Sequence, residues 1–352
     1  MSQLPSGGHG MLRLTAPRCT DCSRPDWPAD WEHYPACDDC IAASRCTDCY
    51  ESHHKAAEDR LLARAERLRL AQRKLAAAAR GTRTPAHMRG RAYLVGPEGA
   101  ATTRRDPNGR ILWEGASRLD GAPIVVIATG LHDGSGNRKT GAAVQTWILR
   151  ADVDPVDTIR GGLDGSICGD CPHRSEGAGG EGTCYTFGST LRGQGAPRVW
   201  QRYAAGEYLP WSAEDVPLVR GRFVRLGAYG DPAAAPLSVW ETITEHAGRW
   251  AGYTHQWTDN AQLQPYCMAS VDSAAEGVIA LAHGWRYFRV RGAGDPLLGT
   301  EIVCPASDEA GKRLTCADCG ACAGTSNTTT GKSVVIIAHG FRAGRINRRG
   351  DR

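Results

Sequence analysis

Gly252-Tyr-Thr-His-Gln-Trp257, Cys267-Met-Ala-Ser-Val271 and Tyr287-Phe-Arg-Val290 are three short apolar runs, with a helical stretch at 273–284 between the last two. Runs of four to six residues rich in β-branched and aromatic side chains read as strands. Working outward, Phe223-Val-Arg-Leu precedes them, a helical stretch at 237–248 follows it, and Glu301-Ile-Val-Cys304 and Val334-Val-Ile-Ile-Ala338 come after. Strands alternating with helices predict an α/β fold with a parallel sheet. No Gly-rich dinucleotide fingerprint is present, so the expected architecture is a complete or partial β/α barrel. Upstream, Ile124-Val-Val-Ile-Ala128 and Ala143-Val-Gln-Thr-Trp-Ile148 flank a Gly-rich loop and read as a hairpin or neighbouring strands. Residues 196–206 read as a helix.

Several of these strands finish on or just before a polar or reactive side chain: Asp231, Gln256, Asp272, Arg289, Cys304 and His339. In β/α barrels the C-terminal strand ends converge on one face, and that face carries the site. Asp231, Gln256, Asp272, Arg289 and His339 are therefore the candidate catalytic residues. His255, inside an apolar-flanked strand, reads equally well as packed or functional.

The chain has 352 residues and 14 cysteines. Thiols stay reduced in the cytosol, where clustered cysteines usually bind metal. The first set is Cys19-x2-Cys22-x14-Cys37-x2-Cys40-x5-Cys46-x2-Cys49, followed by His53 and His54. Each CxxC places two thiolates on one turn, and two such pairs complete a zinc shell. The second set is Cys168, Cys171 and Cys184 in SICGDCPHRSEGAGGEGTCYTFG. It suits zinc with His173 as fourth ligand, or a [4Fe–4S] cluster with one iron open. The third is Cys304, Cys316, Cys319 and Cys322 in CPASDEAGKRLTCADCGACAG. Its one-plus-three split resembles ferredoxin ligation more than a two-plus-two zinc ribbon. Cys267 is left over and reads as a small buried hydrophobe.

The domain division follows composition: a disordered N-terminus (1–18), a zinc-binding module (19–54), a basic amphipathic helix and linker (55–85), a metal-binding α/β domain (86–340) and a basic tail (341–352). Leu61, Leu68 and Leu75 fall seven apart, so the helix can pack on its own chain or pair two chains into a homodimer. The net charge is +4, with arginines crowded into the helix and the tail, a distribution suited to nucleic acid. No apolar run has the length of a signal-peptide core, and none approaches the roughly 20 residues needed to span a bilayer. The expected location is the cytoplasm, with no membrane partner.

The motifs SICGDCPHR, CYTFG, VRLGAYGDPAA, GYTHQW, MASVDS, EIVCPASDEAGKRLTCADCGAC and VVIIAHG resemble a group of uncharacterised phage and prophage proteins over roughly residues 120–340. That resemblance implies a bacterial host cytoplasm and brings no activity with it. More distantly, the layout is similar to radical S-adenosylmethionine enzymes, which are β/α barrels with a three-cysteine cluster after an early strand. The resemblance implies a [4Fe–4S] cluster at Cys168, Cys171 and Cys184, S-adenosylmethionine near Gly227 and Gly230, and a second cluster at Cys304, Cys316, Cys319 and Cys322. The CxxxCxxC spacing usual in those enzymes is absent here.

Two functions follow. One is a radical S-adenosylmethionine-like enzyme acting on a nucleic acid or nucleoside, with zinc in the N-terminal module. The other is a non-catalytic zinc protein that binds nucleic acid or a protein partner.

Overall fold

In the computed structural model the described residues are 107–347, except 135, 136, 138, 312, 313, 327 and 329. The expected disordered N-terminus, the zinc module with Cys19, Cys22, Cys37, Cys40, Cys46 and Cys49, the basic helix and the last residues of the tail lie outside them. Among the described residues ten strands form one sheet: β1 (Gly109–Ala116), β2 (Pro123–Thr129), β3 (Val144–Arg150), β4 (Leu209–Pro210), β5 (Phe223–Tyr229), β6 (Arg249–Thr254), β7 (Met268–Val271), β8 (Tyr287–Arg291), β9 (Glu301–Val303) and β10 (Ser333–Ile337). Their order is β4-β1-β2-β3-β5-β6-β7-β8-β10-β9. β1, β2 and β3 are antiparallel neighbours. From β3 to β9 every pairing is parallel. The protein is thus mixed α/β with a mostly parallel sheet, as the strand–helix alternation predicted.

Parallel strands covered on both faces read as continuous apolar runs. Here helices cover one face and a cysteine-rich segment the other. Val224, Leu226, Ala269, Val271 and Tyr287 share a core with Trp240 and Ile243 of the helix Leu237–Thr244 and with Ile279 and Ala280 of the helix Ala274–Ala282. Burying each of the large apolar side chains stabilises the fold by roughly 1.5–3 kcal/mol. Side chains alternate along a strand, so the neighbours of these residues point the other way. There Met268, Val334 and Ile336 pack with Tyr253, Phe288, Cys304, Ala321, Cys319 and Cys322, while Phe223 and Ala251 meet Cys316.

The expected helices are present but shorter, ending at Thr244, Ala282 and Ala204. The β6–β7 crossover has only a single 3-10 turn, Ala261–Leu263. The β3–β5 crossover is the longest within the parallel run from β3 to β9, and it carries Cys168, Cys171 and Cys184. Among the described residues no helix is long and apolar enough to cross a membrane.

Candidate metal centre

Asp231 follows β5, and its backbone N–H donates to the carbonyl of Ile167 at 2.6 Å. Its buried carboxylate accepts from the Ala233 N–H (2.9 Å), the Thr254 hydroxyl (2.7 Å) and the His255 N–H (2.8 Å). One side chain therefore joins the end of β5, the end of β6 and the cysteine loop. Burial raises its pKa above the usual carboxylate value, against these hydrogen bonds. Gln256, also buried, donates from Nε2 to the carbonyl of Cys168 at 3.2 Å. The turn it meets is Gly169, at φ +60°, where a Cβ would stand 2.4 Å from the Gln256 amide carbon. Asp231 and Gln256 thus shape the loop that carries the thiols.

The glycines expected to bind a cofactor have local work. Gly227 donates its N–H to the Thr146 hydroxyl at 2.9 Å. Gly230, at φ +82°, lies so close to Ile148 that a Cβ would come within 2.7 Å of it.

Cys168, Cys171 and Cys184 lie on this loop and act on one another electrostatically. Burial, reinforced by Asp164, Cys171 and Cys184, pushes the Cys168 thiol well above its ordinary value. Burial likewise takes Cys184 up to about 11. Cys171 differs: burial raises it, but His255 and His173 together outweigh burial and hold its thiol below the ordinary value.

The reason is a second cluster at the ends of β6 and β7. Cys171 Sγ lies 4.0 Å from His255 Nε2. His255 Nε2 stands 3.5 Å from Asp272 Oδ1, and His173 Nε2 is 2.9 Å from the same oxygen. His173 Nδ1 is fixed by the Thr183 hydroxyl at 2.7 Å. Asp272 is fixed through its backbone N–H, which donates to Glu276 at 2.6 Å, beside the Ser273 cap of the following helix. Burial opposes ionisation of Asp272, yet the two histidines hold its carboxyl far below the usual range. Burial opposes protonation of His255, and Cys171 and Asp272 more than overcome it.

The four-cysteine segment forms a second group of thiols over the sheet face turned away from the helices. Cys316 and Cys319 bracket one helical turn, capped by reciprocal Thr315 and Asp318 hydrogen bonds. Burial, with Tyr253 opposing and Cys304, Cys316 and Cys319 adding, pushes Cys322 up to about 12. Arg286 pins the segment by donating to the carbonyls of Gly324 (2.6 Å), Ala321 (2.7 Å) and Lys332 (2.6 Å). Arg225 joins the two centres: its guanidinium donates to the hydroxyl of Tyr185, next to Cys184, and feels Cys316 and Tyr253.

Of the strand-end candidates, Asp231, Gln256 and Asp272 gather around the first cysteine loop. His339 instead lies beside the second centre, 3.5 Å from Lys139 Nζ, whose backbone carbonyl accepts from Cys316 at 2.8 Å. Arg289 joins neither group. It forms a buried two-point ion pair with Glu301 (2.7 and 2.8 Å) and also donates to the Pro296 carbonyl. Cys267 is fully buried behind Gly252, as its apolar surroundings suggested. Sequence reasoning underweighted His255 and treated His173 only as a companion of the cysteines. The Cys171-Pro-His173 spacing was the available signal.

No family model matches the chain, and no curated protein or solved structure matches it either.

Proposed function

We propose that this chain is an iron–sulfur enzyme of radical S-adenosylmethionine type, acting on a nucleic acid or nucleoside. One observation carries the reading. Six parallel strands, β3, β5, β6, β7, β8 and β10, neighbour one another in chain order, the three-thiol loop lies between the first two, and it opens onto the ends of the third and fourth. That is where a β/α barrel places its chemistry.

Curvature toward a partial barrel has its own support. The rings of Tyr253 and Phe288 meet at 4.7 Å across the intervening β7. After the last parallel strand, Arg342 donates to Glu176 at 3.0 Å, and Phe341 lies against Gly188, both in the crossover that follows the first.

Three thiols on one loop suit a cubane with one iron open, and the four-thiol set suits a saturated one. The buried hydroxyl of Tyr229 has no hydrogen-bond partner among the described residues and feels Cys168 and Cys184.

A cluster held by Cys168, Cys171 and Cys184 with its fourth iron open would supply the electron that reductive cleavage of S-adenosylmethionine requires. The chain's own contribution is positional: Gln256 and Asp231 hold the loop, and His255 and Asp272 present polar groups beside Cys171. The second, four-thiolate set closes on itself and would serve electron transfer or stability. The nucleic-acid part of the proposal rests on the basic helix, which lies outside the described residues. Within the tail, Arg342 and Arg345 are paired with Glu176.

The test is an assay of S-adenosylmethionine cleavage by the anaerobically reconstituted full chain, with dithionite as reductant. Formation of 5′-deoxyadenosine and methionine, lost in Cys168→Ala, supports the reading. No cleavage by a cluster-loaded chain overturns it. Zinc alone after attempted reconstitution would leave a zinc-stabilised binding protein.

A further inference from the structure

His173, His255 and Asp272 come from three different segments: the cysteine loop, the end of β6 and the end of β7. They are the one group among the described residues whose three ligand atoms all lie within 4.8 Å of one another. Both imidazoles present Nε2 to the same oxygen, Asp272 Oδ1. A carboxylate offers two oxygens, and two imidazoles seeking only hydrogen bonds could take one each. With all three donor atoms within 4.8 Å of one another, a single cation can reach each of them.

Each ligand is also held from behind. Thr183 fixes the rear nitrogen of His173, Asp231 fixes the backbone of His255, and Glu276 fixes the backbone of Asp272. Such outer partners orient metal-binding side chains. The two rings stand edge to face, with centroids 5.7 Å apart and planes at 68°, so their nitrogens approach from different directions.

We propose that His173, His255 and Asp272 hold a divalent first-row metal ion of the manganese–iron class, separate from the cysteine-bound iron. Two histidines and one carboxylate leave coordination positions open for water or a substrate oxygen. The site contains no sulfur ligand, so it does not rest on the iron–sulfur reading. Its position at the strand ends places the open positions beside the same loop.

Ligand chemistry supplies a selective probe. Thiolates favour zinc and iron–sulfur clusters, whereas nitrogen and carboxylate donors accept Mn2+. The experiment is a titration of the full chain with Mn2+, followed by electron paramagnetic resonance, in the wild type and in Asp272→Asn, His173→Gln and Thr183→Val. Circular dichroism of each variant shows whether it folds. The expected result is one tightly bound Mn2+ per chain, with binding at least tenfold weaker in Asp272→Asn and His173→Gln. Thr183→Val, which leaves all three ligands in place, weakens binding by about 10- to 100-fold through the freed His173 ring. Cys168→Ser and Cys184→Ser leave Mn2+ affinity unchanged even where they remove iron and sulfide. Absence of tight Mn2+ binding in the wild type overturns the proposal, as does unchanged affinity in folded Asp272→Asn and His173→Gln. Iron lost with Mn2+ retained counts against the cluster reading alone. Mn2+ binding absent with iron retained counts against this one alone.

Discussion

The two cysteine centres of the described region are built differently. Cys168, Cys171 and Cys184 lie on a crossover loop held by Asp231 and Gln256, and they share their space with His173, His255 and Asp272. Cys304, Cys319 and Cys322 pack against Met268, Val334 and Tyr253, and Cys316 packs against Phe223 and Ala251 with Arg225 and Lys139 as its charged neighbours. The first centre offers three thiols amid titratable groups at the strand ends. The second offers four thiols over an apolar sheet face. A centre with one position open suits chemistry, and a saturated centre suits electron storage and folding. On the proposed function, that difference separates reaction from support within one sheet.

The largest effect should come from breaking the first centre. Cys168→Ala with Cys171→Ala should abolish S-adenosylmethionine cleavage and remove roughly half of the iron and sulfide, leaving the second cluster in place. Loss of all iron would mean that the two centres are not separate. Cys316→Ser with Cys319→Ser should do the converse. Metal that binds only the folded state stabilises it, and a loss of about 2–3 kcal/mol should lower the melting temperature by roughly 5–10 °C. A melting temperature unchanged in that variant would remove the supporting role from the second centre.

Smaller substitutions sharpen the contrast. Gln256→Ala takes the donor from the Cys168 carbonyl and should cost about 1–3 kcal/mol, with iron lost first from the three-thiol loop. Differential scanning calorimetry and iron analysis read both effects. The smallest change is expected from Arg225→Gln, which removes a half-buried cation beside Cys316. The midpoint potential of the second centre should fall, because a nearby positive charge favours the reduced, more negative cluster. An unchanged potential would place Arg225 too far from that cluster to matter.

How much of this was legible depended on sequence distance. The strands were readable because runs such as Val334-Val-Ile-Ile-Ala338 have no other stable use, and the cysteines were readable from spacing alone. The convergence of His173, His255 and Asp272 was not. His173 and Asp272 are 99 residues apart in the chain, and they meet only because the β3–β5 crossover reaches the ends of β6 and β7. Arg289 shows the opposite case. A charged residue at a strand end looked chemical, but Glu301, twelve residues on, holds it in a buried pair. A short motif exposes neither outcome, because both depend on which strands become neighbours.

The most direct test of an open first centre and a closed second one is electron paramagnetic resonance of the dithionite-reduced full chain, recorded before and after addition of S-adenosylmethionine. Iron and acid-labile sulfide are quantified on the same sample. The account predicts about eight of each per chain, two cluster signals, and a change on addition confined to the signal that disappears in Cys184→Ser. A chain without iron and sulfide, or a first-centre signal indifferent to S-adenosylmethionine, would contradict it.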